Sequence, residues 1–152
     1  MSASVIPLAK ARTPNPVRPL VLICDDEDLV LDILDHHLSK EGYEVVRAQD
    51  GSAALACIAE RLPAAVILAI MLPDMCGIEA LRRIRETPDR RHVPVMILTY
   101  RDAEGDVVEA LKLGASDYLT KPFMIGEVLE RVSKLITPFE HPLESLLEDL
   151  AA

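Results

Sequence analysis

The sequence predicts an α/β domain between residues 19 and 137, a doubly wound parallel sheet with helices on both faces. Three observations lead there. Short, continuous apolar runs recur along the chain, as strands buried on both faces require. Segments with apolar residues at helical spacing lie between them. The two kinds alternate five times, which calls for parallel strands joined by crossover helices. A domain of this pattern most often takes the strand order 2-1-3-4-5. Hydrophobic residues make up 50% of the 152-residue chain but aromatics only 3%, so the core must be aliphatic.

The elements follow in order. Leu20 to Cys24 is the first strand. Leu29, Val30, Ile33, Leu34 and Leu38 recur at helical spacing, and Gly42 ends that helix. Val45-Val46 is a brief second strand, and Ser52 to Arg61 an Ala-rich second helix. Ala65 to Leu68 is the third strand, and Ile78 to Arg85 the third helix. Val93 to Leu98 is the fourth strand, with Pro94 near its start, where a lost ladder donor is tolerated. Ala103 to Leu113 is the fourth helix, stopped by Gly114. Tyr118-Leu119 is a short fifth strand. Gly126 to Ile136 is the fifth helix, with Val128, Leu129, Val132, Leu135 and Ile136 on one face.

The flanks read differently. Residues 1–18 carry three prolines and three basic residues without periodicity, a flexible, mildly basic leader. Residues 138–152 form an acidic segment with Leu143, Leu146, Leu147 and Leu150 at helical spacing and Pro142 at the first helical position. Too short to be a stable helix alone, it docks on the domain as a short extra C-terminal helix, pairs with another chain, or begins a linker. With no output domain following, the chain reads as a stand-alone unit or a fragment.

Bulk properties exclude several functions. The net charge is -9, a poor match to nucleic acid, which wants a basic face. Arg82, Arg83, Arg85, Arg90 and Arg91 cluster locally, but they read as a solvated helix face and loop. The longest apolar run, residues 64–72, falls far short of the roughly 20 residues of a membrane span. Three cysteines without CxxC spacing read as reduced, cytoplasmic residues and not a zinc site. A nucleotide or flavin enzyme on this fold lacks support, because neither GxGxxG nor GxxxxGK[ST] occurs.

In doubly wound sheets the ligand site lies at the C-terminal strand ends. Asp25, Asp26, Glu27 and Asp28 follow strand one, and Ala69 through Asp74 follow strand three. Thr99 follows strand four, and Thr120, Lys121, Pro122 and Phe123 follow strand five. Each has a plain explanation by itself: acidic residues start helices, a threonine caps a turn, and Lys121-Pro122 is an exposed turn. Their joint placement at one sheet edge points to function. Clustered carboxylates repel unless a cation joins them, and hard oxygen ligands favour Mg²⁺. A lysine opposite them can hold a phosphoryl oxygen, and a threonine hydroxyl can donate to another.

From about Pro19 to Thr137 the chain resembles the receiver domain of two-component response regulators. The likeness rests on Val21-Leu22-Ile23-Cys24-Asp25-Asp26-Glu27, on residues 67–77, on Pro94-Val95-Met96-Ile97-Leu98-Thr99 and on residues 114–123. The resemblance implies a flavodoxin-like (βα)5 fold and a non-enzymatic signalling switch. In such a switch a histidine kinase or phosphotransfer protein donates a phosphoryl group. It implies Asp26 as a direct Mg²⁺ ligand, Asp25 acting largely through water, and the backbone carbonyl of Met71 as a further ligand. It implies Thr99 and Lys121 as phosphoryl-binding residues, Thr99 and Tyr118 as the switch pair, and a cis Lys121-Pro122 peptide. A downstream partner or an absent output domain would read the face of the fourth helix, fifth strand and fifth helix, and homodimerisation is left open.

One position departs from the family pattern. Ala69 stands where the family places its phosphate-accepting aspartate. A methyl group neither accepts a phosphoryl group nor binds metal, so Mg²⁺ affinity falls as well. Two explanations compete: an engineered substitution that locks the domain off, or a natural pseudo-receiver acting as a phosphate-independent interaction module. The first is favoured, because Asp25, Asp26, Thr99, Tyr118 and Lys121 are all kept. Tyr100 is a second, milder departure; it follows Thr99 where the family has a small residue, and it narrows the mouth of the site.

Overall fold

The computed structural model describes residues 18–100 and 104–136. Five strands, β1 (Leu20–Cys24), β2 (Glu44–Ala48), β3 (Ala65–Ala69), β4 (Val95–Tyr100) and β5 (Asp117–Lys121), alternate with five helices. These are α1 (Asp28–Lys40), α2 (Gly51–Glu60), α3 (Gly77–Glu86), α4 (Glu104–Lys112) and α5 (Ile125–Ile136). A single 3-10 turn, Pro88–Arg90, joins α3 to β4. The sheet order is β2-β1-β3-β4-β5, and every neighbouring pair is parallel. The flavodoxin-like order expected from the sequence is therefore the one observed.

The sheet is buried on both faces because its strands alternate between two cores. Leu22, Leu68 and Ile97 point to α2, α3 and α4, where Ile58, Leu81 and Ala110 meet them. Val21, Ile23 and Ile67 point the other way, to Leu34 of α1 and Val132 of α5. Each large aliphatic side chain so buried contributes about 1.5–3 kcal/mol.

Several boundaries moved. The fourth strand begins at Val95 and not Val93, because Pro94 has no N–H and the ladder opens with Val95 N–H donating to Ser116 Oγ. The fifth strand extends to Lys121, which pairs with Tyr100. On α1 the inward face is Leu31, Leu34 and Leu38, whereas Leu29 and Ile33 are exposed. Arg18, read as the end of the leader, donates to the carbonyl oxygens of Gly42 and Tyr43 at 3.2 Å each. The rest of the leader and the C-terminal leucine stripe lie outside the described residues. Gly114 ends α4 at φ 104°, a left-handed conformation that a side chain adopts poorly.

Candidate functional site

β1 delivers Asp25 to the C-terminal edge of the sheet, where its backbone N–H donates to Ala48 O across 3.1 Å. The side chain is 1% exposed, and Oδ1 accepts the Glu27 backbone N–H at 2.9 Å. Lys121, at the end of β5, is buried and reaches back across the sheet edge. Its Nζ lies 2.8 Å from Asp25 Oδ2 and 2.8 Å from Glu27 Oε2. Tyr100, next to Lys121 in the β4–β5 register, donates its hydroxyl to the same Glu27 Oε2 at 2.6 Å. Lys121 Nζ also sits 4.8 Å from the centre of the Tyr100 ring, within cation–π range.

These contacts set the electrostatics. Burial raises the Asp25 carboxyl above its ordinary range, and the Lys121 ammonium opposes that rise. Glu27 is lowered, first by its hydrogen bond to Lys121 and then by that to Tyr100. Burial pushes Lys121 downward, but its bonds to Asp25 and Glu27 prevail and hold its pKa above the ordinary value. Cys24, buried beside Asp25, is pushed up to about 12 by desolvation, so its thiol is unreactive at neutral pH.

The loop after β3 completes the edge. Met71 and Cys76 form an antiparallel bridge, and Gly77 N–H donates to Ile70 O at 2.7 Å. A Cβ on Gly77 would lie 2.0 Å from the Ala69 carbonyl oxygen, so this close approach of α3 to β3 requires glycine. Asp74 ties the loop to α2, accepting Gly51 N–H at 2.8 Å and Ser52 N–H at 2.9 Å. Bonds from Ser52 and Gly51 lower the Asp74 carboxyl to about 2, as anions at a helix N-terminus are expected to behave.

A cleft of about 20 Å³ opens among Asp26, Glu27, Ala69, Thr99, Tyr100 and Lys121. That is room for about one water molecule. Its depth holds buried Ala69 and Thr99, and Met71 lies at its rim with an exposed side chain. Carboxylate oxygens of Asp25, Asp26 and Glu27 lie within 4.8 Å of one another, a donor set of hard oxygens that suits a divalent cation.

The structure places Asp25, Asp26, Ala69, Met71, Thr99 and Lys121 together at one edge of the sheet. The Lys121-Pro122 peptide is cis. Tyr118 stays outside: its ring is exposed on β5, and its carbonyl accepts Arg131 Nη1 at 2.9 Å. Sequence alone does not reveal the bonding of Glu27 or the clamp made by Asp74, and it shows Tyr100 only as narrowing the mouth. The spacing from Asp74 back to Gly51 carries no local signal. Within the arginine cluster, Arg82 and Arg83 pair with Glu79, and Arg85 donates to Gly114 O.

The profile of the response regulator receiver domain matches residues 21–133. The chain belongs to that family. Solved structures agree. A chain described as a response regulator from Chloroflexus aurantiacus is 35% identical, with a TM-score of 0.76 over 80% of this chain and 99% of that one. The chemotaxis response regulator CheY4 of Vibrio cholerae is 28% identical, with a TM-score of 0.74 over 78% of this chain and 99% of that one. The receiver domain of a signal transduction histidine kinase from Syntrophus aciditrophicus is 29% identical, with a TM-score of 0.73 over 78% and 90%. Among the described residues of this receiver, no helix is long and apolar enough to cross a membrane.

Proposed function

We propose that this receiver is a cytoplasmic, non-enzymatic signalling switch of a two-component phosphorelay in a form that cannot be phosphorylated, because Ala69 holds the acceptor position. The observation that carries this reading is the placement of Ala69. It ends β3, is buried, and lines one cleft with Asp26, Thr99 and Lys121. Those kept partners support an acceptor aspartate in the parent sequence. With aspartate there, a carboxylate oxygen attacks phosphorus, the bond from phosphorus to the donor breaks, and the donor group leaves with the bonding pair. Lys121 then holds a phosphoryl oxygen, and Thr99 donates to another. Asp26 and the Met71 carbonyl, with Asp25 beside them, would hold Mg²⁺, which would supply charge neutralisation for the transferring group. In this chain its grip is weakened, because the Ala69 position offers no carboxylate.

A histidine kinase or phosphotransfer protein is the donor partner in this reading. The output is read on the α4–β5–α5 face, where Val108, Leu111 and Tyr118 are exposed. Intact-mass analysis after incubation with Mg²⁺ and acetyl phosphate tests it. The Ala69→Asp protein gains one phosphoryl group and the parent gains none. No gain in either would remove the phosphorelay reading.

A second reading, a phosphate-independent interaction module, is favoured by one contact set. Lys121 already has carboxylate partners in Asp25 and Glu27 without any phosphoryl group. A partner that binds the parent and the Ala69→Asp protein equally, with or without acetyl phosphate, would select it.

A further inference from the structure

We infer that Tyr100, Glu27 and Lys121 form an internal latch that takes up the phosphoryl-binding donor of the site and closes its mouth. Glu27 Oε2 accepts from both the Tyr100 hydroxyl and the Lys121 ammonium, at 2.6 and 2.8 Å. The Tyr100 ring lies against the same ammonium. Glu27 thereby replaces, on Lys121, the carboxylate that Ala69 lacks. The inference rests on the receiver reading above and adds a gate to its site.

Three features make this more than a surface contact. Lys121 is 7% exposed, so its charge must be met by protein groups, and buried Asp25 and half-exposed Glu27 meet it. The register of β4 against β5 fixes Tyr100 beside Lys121, so the hydroxyl is delivered by the sheet and not by a loose loop. The remaining cleft of about 20 Å³ admits about one water, so a phosphoryl group enters only if Glu27 and Tyr100 swing away. An ammonium has three protons. Glu27 accepts a hydrogen bond from one of them and Asp25 lies beside the ammonium as an ion pair, so a proton remains for a carboxylate at position 69 with the Tyr100–Glu27 bond intact.

The latch predicts slow entry of small phosphodonors even where an acceptor exists. The Ala69→Asp protein and the Ala69→Asp/Tyr100→Phe protein are compared for their rate of phosphorylation by acetyl phosphate with Mg²⁺. Phe keeps the ring and loses only the hydroxyl. Freeing the charged acceptor from this bond is expected to raise the rate about tenfold. Equal rates would overturn the latch and leave the receiver reading intact. A second measurement does not need phosphorylation: the ¹H–¹⁵N resonance of the Lys121 ammonium in the parent and in Tyr100→Phe. The latch requires that resonance to shift and to exchange faster with water in Tyr100→Phe; an unmoved resonance overturns it. Should neither Ala69→Asp protein take a phosphoryl group, the phosphorelay reading falls, and the ammonium resonance still decides the latch.

Discussion

Lys121 Nζ lies 2.8 Å from Asp25 Oδ2, although their strands, β5 and β1, are separated in the sheet by β3 and β4. The pair closes over the strand ends between them. Both side chains are buried, so neither charge can turn to bulk water when the other is removed. Lys121→Met should therefore destabilise the domain by about 3 kcal/mol at neutral pH. The sign of its pH dependence follows. Without Lys121, the Asp25 carboxyl rises further above its unfolded value. A group with a raised folded pKa stabilises while protonated and loses that contribution as pH rises. The stability gap between parent and Lys121→Met should widen from pH 5 to pH 8 in urea unfolding. A constant gap would mean that Asp25 does not depend on Lys121.

Asp74 offers a test in the loop after β3. Its carboxylate accepts two backbone N–H groups at the start of α2, and its pKa is lowered from 3.8 to about 2. A lowered folded pKa contributes stability that is present above the unfolded value and lost as pH falls through the folded one. Asp74→Ala should lower Tm at neutral pH, and the difference from the parent should shrink as pH falls from about 4 to about 2. The same substitution frees the loop that carries Met71, so Mg²⁺ affinity measured in the Ala69→Asp background should fall with it. An unchanged Tm at pH 7 would show that the clamp contributes nothing.

The α1 helix separates what was legible in the sequence from what was not. Leu34 and Leu38 face the core as their spacing suggested, but the third inward residue is Leu31, and Leu29 is 70% exposed. An apolar residue counts toward a helical stripe whether or not a neighbour covers it, so periodicity alone could not reject Leu29. Leu31→Ala should cost about 2–5 kcal/mol in chemical denaturation. Leu29→Ala should stay within about 0.5 kcal/mol of the parent. Comparable losses would put the helix in a different register.

The same limit explains the site. β1 and β3 were legible because all of their residues are buried and the runs are short. Asp25 and Thr99 were legible because each directly follows or ends such a run, and Lys121 because it ends the shorter, half-buried β5. Tyr100 sits in that same position, yet its bond to Glu27 spans 73 residues and depends on side-chain reach across the cleft. Asp74 likewise depends on how the loop after β3 folds back on α2. Strand order is enough to collect residues at an edge; it does not assign one side chain's donor to another's acceptor.

Ala69 gives the last prediction. It lines the cleft beside Asp26 and Glu27, and oxygens of Asp25, Asp26 and Glu27 already lie within 4.8 Å of one another. A fourth carboxylate at position 69 adds repulsion that Lys121, already engaged twice, offsets only in part. In EDTA the Ala69→Asp protein should be less stable than the parent by ~1 kcal/mol. Magnesium should shrink that gap, because the added carboxylate makes the folded Ala69→Asp protein bind the cation more tightly than the parent does. Urea unfolding of both proteins, with EDTA and with Mg²⁺, checks both halves. Equal stabilities in EDTA would place residue 69 outside the field of the acidic cluster, and the assignment of Ala69 to the acceptor position would lose its electrostatic basis.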